Sequence, residues 1–540
     1  MKVKFLGAAR TVTGCCFRVE LNGHKFCVDC GLHQGNREIE ERNYNTEMYG
    51  IKDIEFILLS HCHIDHSGLI PKFVKEGFNG DIYTTHPTMD LLTIMLKDSA
   101  HVQATEIEWK NQKRKRQGKP LLEPLYSEID ADNSIPLMKT TGYNKKFSPI
   151  EGLEVELHDA GHILGSSIIE LNVEENNKKY KVVFSGDLGR PKQFIVKDPS
   201  KIEYADFLFL ESTYGNRLHK NEEASLDELA EAINYSVMNN EKTIIPAFAV
   251  ERTQELLYAL YFLIKQGKIP PSIPVYMDSP LAINATRIFD KYHGYFDEQS
   301  KELFKQGENP LKLKNLKFAL STEDSIKLNT LKGPAIIISA SGMANAGRIK
   351  HHLKHNIWRP GASIVFVGFQ AQGTLGRRIV DGAKTVKIFG EETQVKAKVF
   401  TINGFSAHAD QKQILEWMEN FKNPKMKVFL VHGEYESQKV LAEKIRDKFG
   451  YEVYIPDYLE EYELIPDMVT SFIKEEEKKM SRISIDWDFL IDDLKQKILH
   501  LEKRKQNLSS LDWVTQSELR DEILDANYLL SKLISSITSS

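Results

Sequence analysis

The sequence predicts an α/β protein in which one domain is interrupted by another, and three observations predict it. From residue 1 to 210, short apolar runs such as KFCVDCG, EFILLSH, LEVELHDAGH, YKVVFSGD and FLFLEST alternate with polar or helical stretches, and most end at a His, Asp or Glu. Polar groups at strand ends converge on exposed loops while the strands bury their apolar faces. Residues 211–390 change to a βα alternation. There TIIPAFAV, PVYMDS, PAIIISAS and SIVFVGF are near-continuous apolar strands, separated by helical segments such as ERTQELLYALYFLIKQ. That pattern suits a parallel sheet covered on both faces. Finally, KVFTINGFSAHAD and MKVFLVHGE return to strands that end in His-bearing loops, like the first region. Residues 1–210 and 391–474 are therefore expected to form one domain, 211–390 an inserted one, and 475–540 a helical extension.

A chain of 540 residues exceeds the roughly 250–300 residues at which single cores stop growing. Its 41% hydrophobic and 27% charged content is that of a globular protein, and a net charge of −5 argues against non-specific coating of a polyanion by the whole surface. The five cysteines, Cys15, Cys16, Cys27, Cys30 and Cys62, crowd the first eighth of the chain in odd number, which is no disulfide framework. No apolar h-region opens the sequence, and no stretch reaches the ~18 apolar residues that span a bilayer. These features predict a cytoplasmic protein with no membrane contact. The basic run KNQKRKRQGK from Lys110 reads as a solvated loop or helix face, with guidance of RNA the less favoured alternative. In the extension, Phe489, Leu490, Leu494, Ile498 and Leu501 form one helical stripe and Leu529, Leu533 and Ile537 another. Two short amphipathic helices need a surface to cover them, and a homodimer is one expectation.

The chemistry concentrates in HCHIDHSG, directly after the strand EFILLS, where His61, His63, Asp65 and His66 lie within six positions. An isolated His is usually a satisfied core or surface residue. Three of them with a carboxylate in one turn repel when protonated and leave unpaired donors when buried, and a divalent cation resolves both problems. The turn can aim His61 and His63 at one cation and Asp65 and His66 at a second. His162 in HDAGHILGSS and Asp187 in VVFSGDLGR stand at strand ends beside glycines, as completing ligands do.

In this order, those segments resemble the metallo-β-lactamase fold, a four-layer αββα sandwich. FLESTYG with Glu211, GFSAHAD with His408 and VHGE with His432 resemble motifs A, B and C of its β-CASP nucleic-acid-processing branch, over about residues 1–467. The resemblance is to bacterial RNA-degrading members of the cleavage-and-polyadenylation-endonuclease type. It implies two Zn²⁺ ions, with Mn²⁺ as the alternative. One would be held by His61, His63 and His162 and the other by Asp65, His66 and His432, with Asp187 bridging. Asp29, ending KFCVDCG, would support the ligand turn without binding metal. Asp65, Glu211 and His408 would form the catalytic set, with His408, oriented by Glu211, protonating the leaving 3′-oxygen. Cys27 and Cys30, with no second pair, read as core residues rather than a zinc ribbon, and Cys62 should point away from the metals.

In the insert, SASGM and GFQAQGTLGR offer hydroxyl, backbone N–H and guanidinium donors. The family's gripping of the RNA backbone implies phosphate contacts from Ser339, Ser341, Gly342, Arg348 and Arg377, with Lys350, His351 and Arg378 nearby. The implied activity is metal-dependent hydrolysis of phosphodiester bonds in single-stranded RNA, as an endonuclease, a 5′-exonuclease or both. A small-molecule or DNA hydrolase of the same fold, or an inactive scaffold subunit, are the alternatives. The intact ligand set and the Glu211, His408 and His432 trio favour the nuclease.

Overall fold

The computed structural model describes residues 1–219, 222–368, 370, 373–466, 468–472 and 487–505, with scattered positions between 516 and 530. Its main body, Met1–Glu477, contains two large sheets packed face to face and a third, smaller one. The first large sheet has eight strands, in spatial order 468–472, 461–465, 2–5, 17–21, 24–28, 56–58, 81–85 and 138–141. The second has seven, in the order 452–454, 427–431, 207–211, 178–184, 167–175, 153–159 and 146–150.

The side-chain period of two explains the layering. In Phe207–Glu211, Phe207 and Phe209 face the other sheet, while Leu208 and Leu210 face a helical layer. Val428 and Leu430 of Lys427–Val431 likewise face outward, with Phe429 and Val431 inward. In the first sheet Phe56 and Leu58 point into the sandwich, and Ile57 points out to Phe73, Leu91 and Leu96 on the helices Ile70–Lys75 and His86–Arg116. Helices Gln411–Met418 and Tyr435–Phe449 cover the second sheet. The order is the expected αββα sandwich.

The insert is built on a six-stranded parallel sheet, ordered 316–318, 275–277, 335–339, 242–246, 363–366 and 398–401. Ile336 and Ile338 pack on one face and Ile337 on the other, so both faces are buried and the strands read as unbroken apolar runs. The KVFT segment lies past residue 390, where the insert was expected to end, yet it pairs with Ser363–Phe366 rather than with the sandwich. The chain leaves the insert's sheet only after residue 401.

The basic run forms the end of the 31-residue helix His86–Arg116. Within the C-terminal unit, Lys478–Ser540, the first expected stripe falls on a helix, Trp487–Lys503. The second, at Leu529, Leu533 and Ile537, lies outside the described residues. Among the described residues no helix is long and apolar enough to cross a membrane.

Candidate metal centre and its surroundings

Four loops at one end of the sandwich carry the candidate ligands. Close packing of glycines brings the loops together. A Cβ on Gly189 of the Asp187 loop would lie 1.6 Å from the Gly161 carbonyl oxygen in the His162 loop, so any side chain there would push the two loops apart. Gly31 has the same relation to the carbonyl of Asp65, at 1.6 Å.

The His and Asp side chains form two sets sharing Asp187. In the first set, the Nε2 atoms of His61 and His162 lie 3.1 and 3.2 Å from Nδ1 of His63. Asp187 Oδ2 is 3.6 Å from both Nε2 atoms. In the second set, His66 Nε2 lies 3.3 Å from Asp187 Oδ1, and His432 Nε2 lies 3.5 Å from Asp65 Oδ2.

Outer partners fix which ring nitrogen carries the proton. His66 Nδ1 donates to Asp29 Oδ2 at 2.7 Å, His162 Nδ1 to the Ala407 carbonyl at 3.4 Å, and His432 Nδ1 to the Thr213 hydroxyl at 3.0 Å. Each leaves an Nε2 lone pair aimed inward. His66 Nε2, Asp187 Oδ1 and His432 Nε2 are buried without a hydrogen bond. Converging lone pairs of this kind are costly unless a cation sits among them. Burial, reinforced by neighbouring imidazoles, holds His61 and His162 well below the usual histidine range, and burial holds His63 at about 4. Neutral imidazoles are what a metal ion takes as ligands. The donor set thus fits divalent metal in two places.

Asp29 occupies the supporting position expected of it. It accepts from the Ser60 N–H and hydroxyl at 2.8 and 2.9 Å, and its backbone sits in the left-handed region at φ 58°. Cys27, Cys30 and Cys62 are buried in the core behind the turn, and all five cysteines are free.

His408 stands beside Asp187, with Nδ1 3.2 Å from both oxygens of the fully buried Glu211. Burial disfavours its charge, but Glu211 and then Asp187 outweigh burial and lift the imidazole to about 9. The Leu188 N–H donates to Glu211, and His219 reaches the His408 carbonyl at 2.9 Å.

The expected phosphate contacts divide. Ser339 donates its hydroxyl to the Asp278 carbonyl at 2.8 Å, and Arg348 pairs with the Asp278 carboxylate at 2.7 Å and caps the Ala319 and Leu320 carbonyls. Both hold the insert's own frame. Lys350 and His351 lie against Phe389. Among the described residues, the Arg377 side chain makes an exposed i,i+4 pair with Asp381, which water screens. Ser341 and Gly342 lie in the loop between the strand Ala335–Ser339 and the helix Ile349–Asn356, where a Cβ on Gly342 would meet the Phe248 ring at 2.8 Å.

Sequence reasoning passed over one cluster. Glu251, Arg252 and Glu255 of the insert are buried beside Arg190, three residues after Asp187, and Glu251 accepts from the Leu164 N–H in the His162 loop at 3.1 Å. Arg252 pairs with Glu255, and Arg190 approaches Glu255 at 4.0 Å. The signal was present: five polar residues, ERTQE, precede the apolar run of this helix.

Three family descriptions match the chain: a metallo-beta-lactamase superfamily domain over residues 18–193, a Beta-Casp domain over 253–379, and a Zn-dependent metallo-hydrolase RNA specificity domain over 392–456. A ribonuclease of Thermus thermophilus is 35% identical over 442 residues, covering 82% of this chain and 95% of that one. The transcription termination factor FttA of Methanocaldococcus jannaschii is 31% identical, covering 84% of this chain and 70% of its own. An RNase J-like protein of the same organism is 30% identical, covering 81% and 93%. With two sets of buried metal donors on an αββα sandwich and a parallel-sheet insert, the chain belongs to the β-CASP family of metallo-β-lactamase-fold hydrolases.

Proposed function

We propose that the protein is a metal-dependent ribonuclease that hydrolyses phosphodiester bonds of single-stranded RNA. The observation that carries the reading is the convergence of buried imidazole nitrogens and carboxylate oxygens in two sets that share Asp187. His61, His63 and His162 would hold one divalent cation and Asp65, His66 and His432 the other, with Asp187 shared and zinc the favoured metal over manganese. When bound, two such cations supply an activated water and offset charge on the phosphate. His408, kept protonated by Glu211, delivers a proton to the departing 3′-oxygen. Ser341 and Gly342, with Arg377 at the periphery, bind the RNA backbone. The names of the bacterial and RNase J-like relatives support RNA as the substrate.

The buried free cysteines support a reducing, cytoplasmic setting. The spacing of Leu494, Ile498 and Leu501 along Trp487–Lys503 supports a homodimer through the C-terminal helices. A full-length chain that is monomeric by light scattering well above micromolar concentration would overturn the dimer.

The enzymatic reading is tested with 5′-labelled and internally labelled RNA, digested with and without chelator. Chelator-sensitive cleavage is expected. Internal products assign an endonuclease, and mononucleotides released from the 5′ end an exonuclease. RNA left intact by metal-loaded protein overturns the proposal.

A further inference from the structure

Beyond the metal centre, the strongest unexplained surface is the far end of the helix His86–Arg116. Its first turn touches the site: the Thr85 and Thr88 hydroxyls donate to the Gly165 carbonyl, three residues after His162. At 1.5 Å per residue the helix then runs about 45 Å, which places Trp109 roughly 35 Å from that end.

The tip is rigidly built. Asn111 bonds both the N–H and the carbonyl of Leu122 at 2.8 Å, Arg114 Nε donates to the Pro120 carbonyl at 2.6 Å, and the Lys119 N–H donates to the Arg114 carbonyl at 3.1 Å. Buried Leu125 and Tyr126 anchor the returning chain. A solvated charge run needs no such bracing.

What this frame presents is an aromatic ring among cations. Trp109 is 70% exposed, which removes a large apolar surface from any protein contact and leaves it to water. Between Trp109 and Leu122 stand six Lys and Arg and no Asp or Glu, in a chain whose net charge is −5. Among the described residues of that stretch, only Lys110 meets a carboxylate, Glu106 at 3.9 Å. Trp109, Gln112 and Arg116 follow i, i+3, i+7 spacing and share one helix face. Exposed aromatic rings within a basic surface are how single strands are held without sequence preference: bases stack on the ring and phosphates meet the cations.

We propose that residues 109–122 are a docking arm for single-stranded RNA, resting on the ribonuclease reading and holding substrate at a distance from the metal centre. Charge complementarity selects the occupant, because a neutral or basic protein surface gains nothing from a stretch with six Lys and Arg and no Asp or Glu.

The test uses the full chain, with chelator for binding and with metal for cleavage. Trp109→Ala and the double variant Lys115→Gln/Arg116→Gln alter exposed side chains. They are compared with wild type on an RNA of about 30 nucleotides, and on one of about five that is too short to reach from the site to the tip at ~3.4 Å per stacked nucleotide. Trp109→Ala is expected to weaken binding of the long RNA and raise its KM about ten-fold, with kcat unchanged. The double variant should reduce the slope of log affinity against log salt by about 1.4, two phosphates at ~0.7 each. Both should leave the short RNA unaffected. Unchanged long-RNA binding overturns the arm, as does equal loss on both lengths. Chelator-stage binding that falls as expected, with no cleavage by metal-loaded wild type, would uphold the arm and sink the ribonuclease reading alone.

Discussion

His63 and His408 both sit within the same buried polar site, yet their removal should have separable consequences. His63 Nδ1 stands between His61 and His162. Its replacement by Ala is expected to abolish cleavage and lower bound divalent metal, read by elemental analysis of the purified protein. A metal-replete, fully active variant would remove it from the ligand set. His408 has its Nδ1 committed to Glu211. His408→Ala should slow cleavage ~10²–10⁴-fold, the range of general acid catalysis, with metal content nearly unchanged; loss of a metal equivalent would make it a ligand. A second consequence concerns pH. Although burial acts against it, the Glu211 carboxylate is the leading influence holding His408 up at about 9. Glu211→Gln removes that negative charge and lowers the imidazolium's pKa, so the proton is lost at lower pH. The alkaline limb of the kcat profile should therefore move towards neutrality, and a limb that stays in place would assign the leaving-group proton elsewhere.

At the scale of elements, the sandwich depends on an aromatic layer between the sheets. Phe209 stacks on Phe184 at 4.3 Å and on Phe429 at 4.8 Å within its own sheet, and faces Phe5 and Phe17 of the other at 5.8 and 5.9 Å. Phe209→Ala should cost ~3–5 kcal/mol in urea unfolding, since the cavity lies between two sheets that cannot close on it. A loss below ~1 kcal/mol would mean that the layer repacks. Such strands were legible in the sequence because burial on both faces writes an apolar run, and the metal donors because four of them crowd six positions. Lys398–Thr401 was not, because an apolar run does not say which sheet edge it will join. The pairing of Arg348 with Asp278, 70 residues upstream, was not either, because a partner so distant in sequence leaves no local pattern. The Asp29 support was legible through the resemblance alone, since a carboxylate in the left-handed region behind a turn leaves no local pattern.

Across the whole body, the insert and the sandwich share one core: Ile57, Leu91 and Leu92 of the sandwich belong to the same buried cluster as Leu256, Leu257 and Ile283 of the insert. Its polar counterpart is the group formed by Arg190, Glu251, Arg252 and Glu255, where an insert helix meets the loops that carry His162 and Asp187. Burial, then Glu255, pushes Glu251 well above the usual carboxylate range, so it accepts the Leu164 N–H as a neutral group, and Glu255 is the carboxylate that faces Arg252 and Arg190. Removing one member of a buried ionic group leaves the others uncompensated, a loss of ~3–5 kcal/mol, whereas removing a solvated pair costs ~0–1 kcal/mol. Glu255→Ala is therefore expected to destabilise the body in urea by the larger amount. Because the core is continuous, the variant should still unfold in a single transition, by fluorescence and circular dichroism alike. Glu255→Gln keeps the shape and one acceptor and should recover part of the loss. A split transition in the Ala variant would show that this cluster, rather than the shared apolar core, joins the two domains; a loss as small as that of an exposed pair would show that water reaches the arginines and that the junction is open.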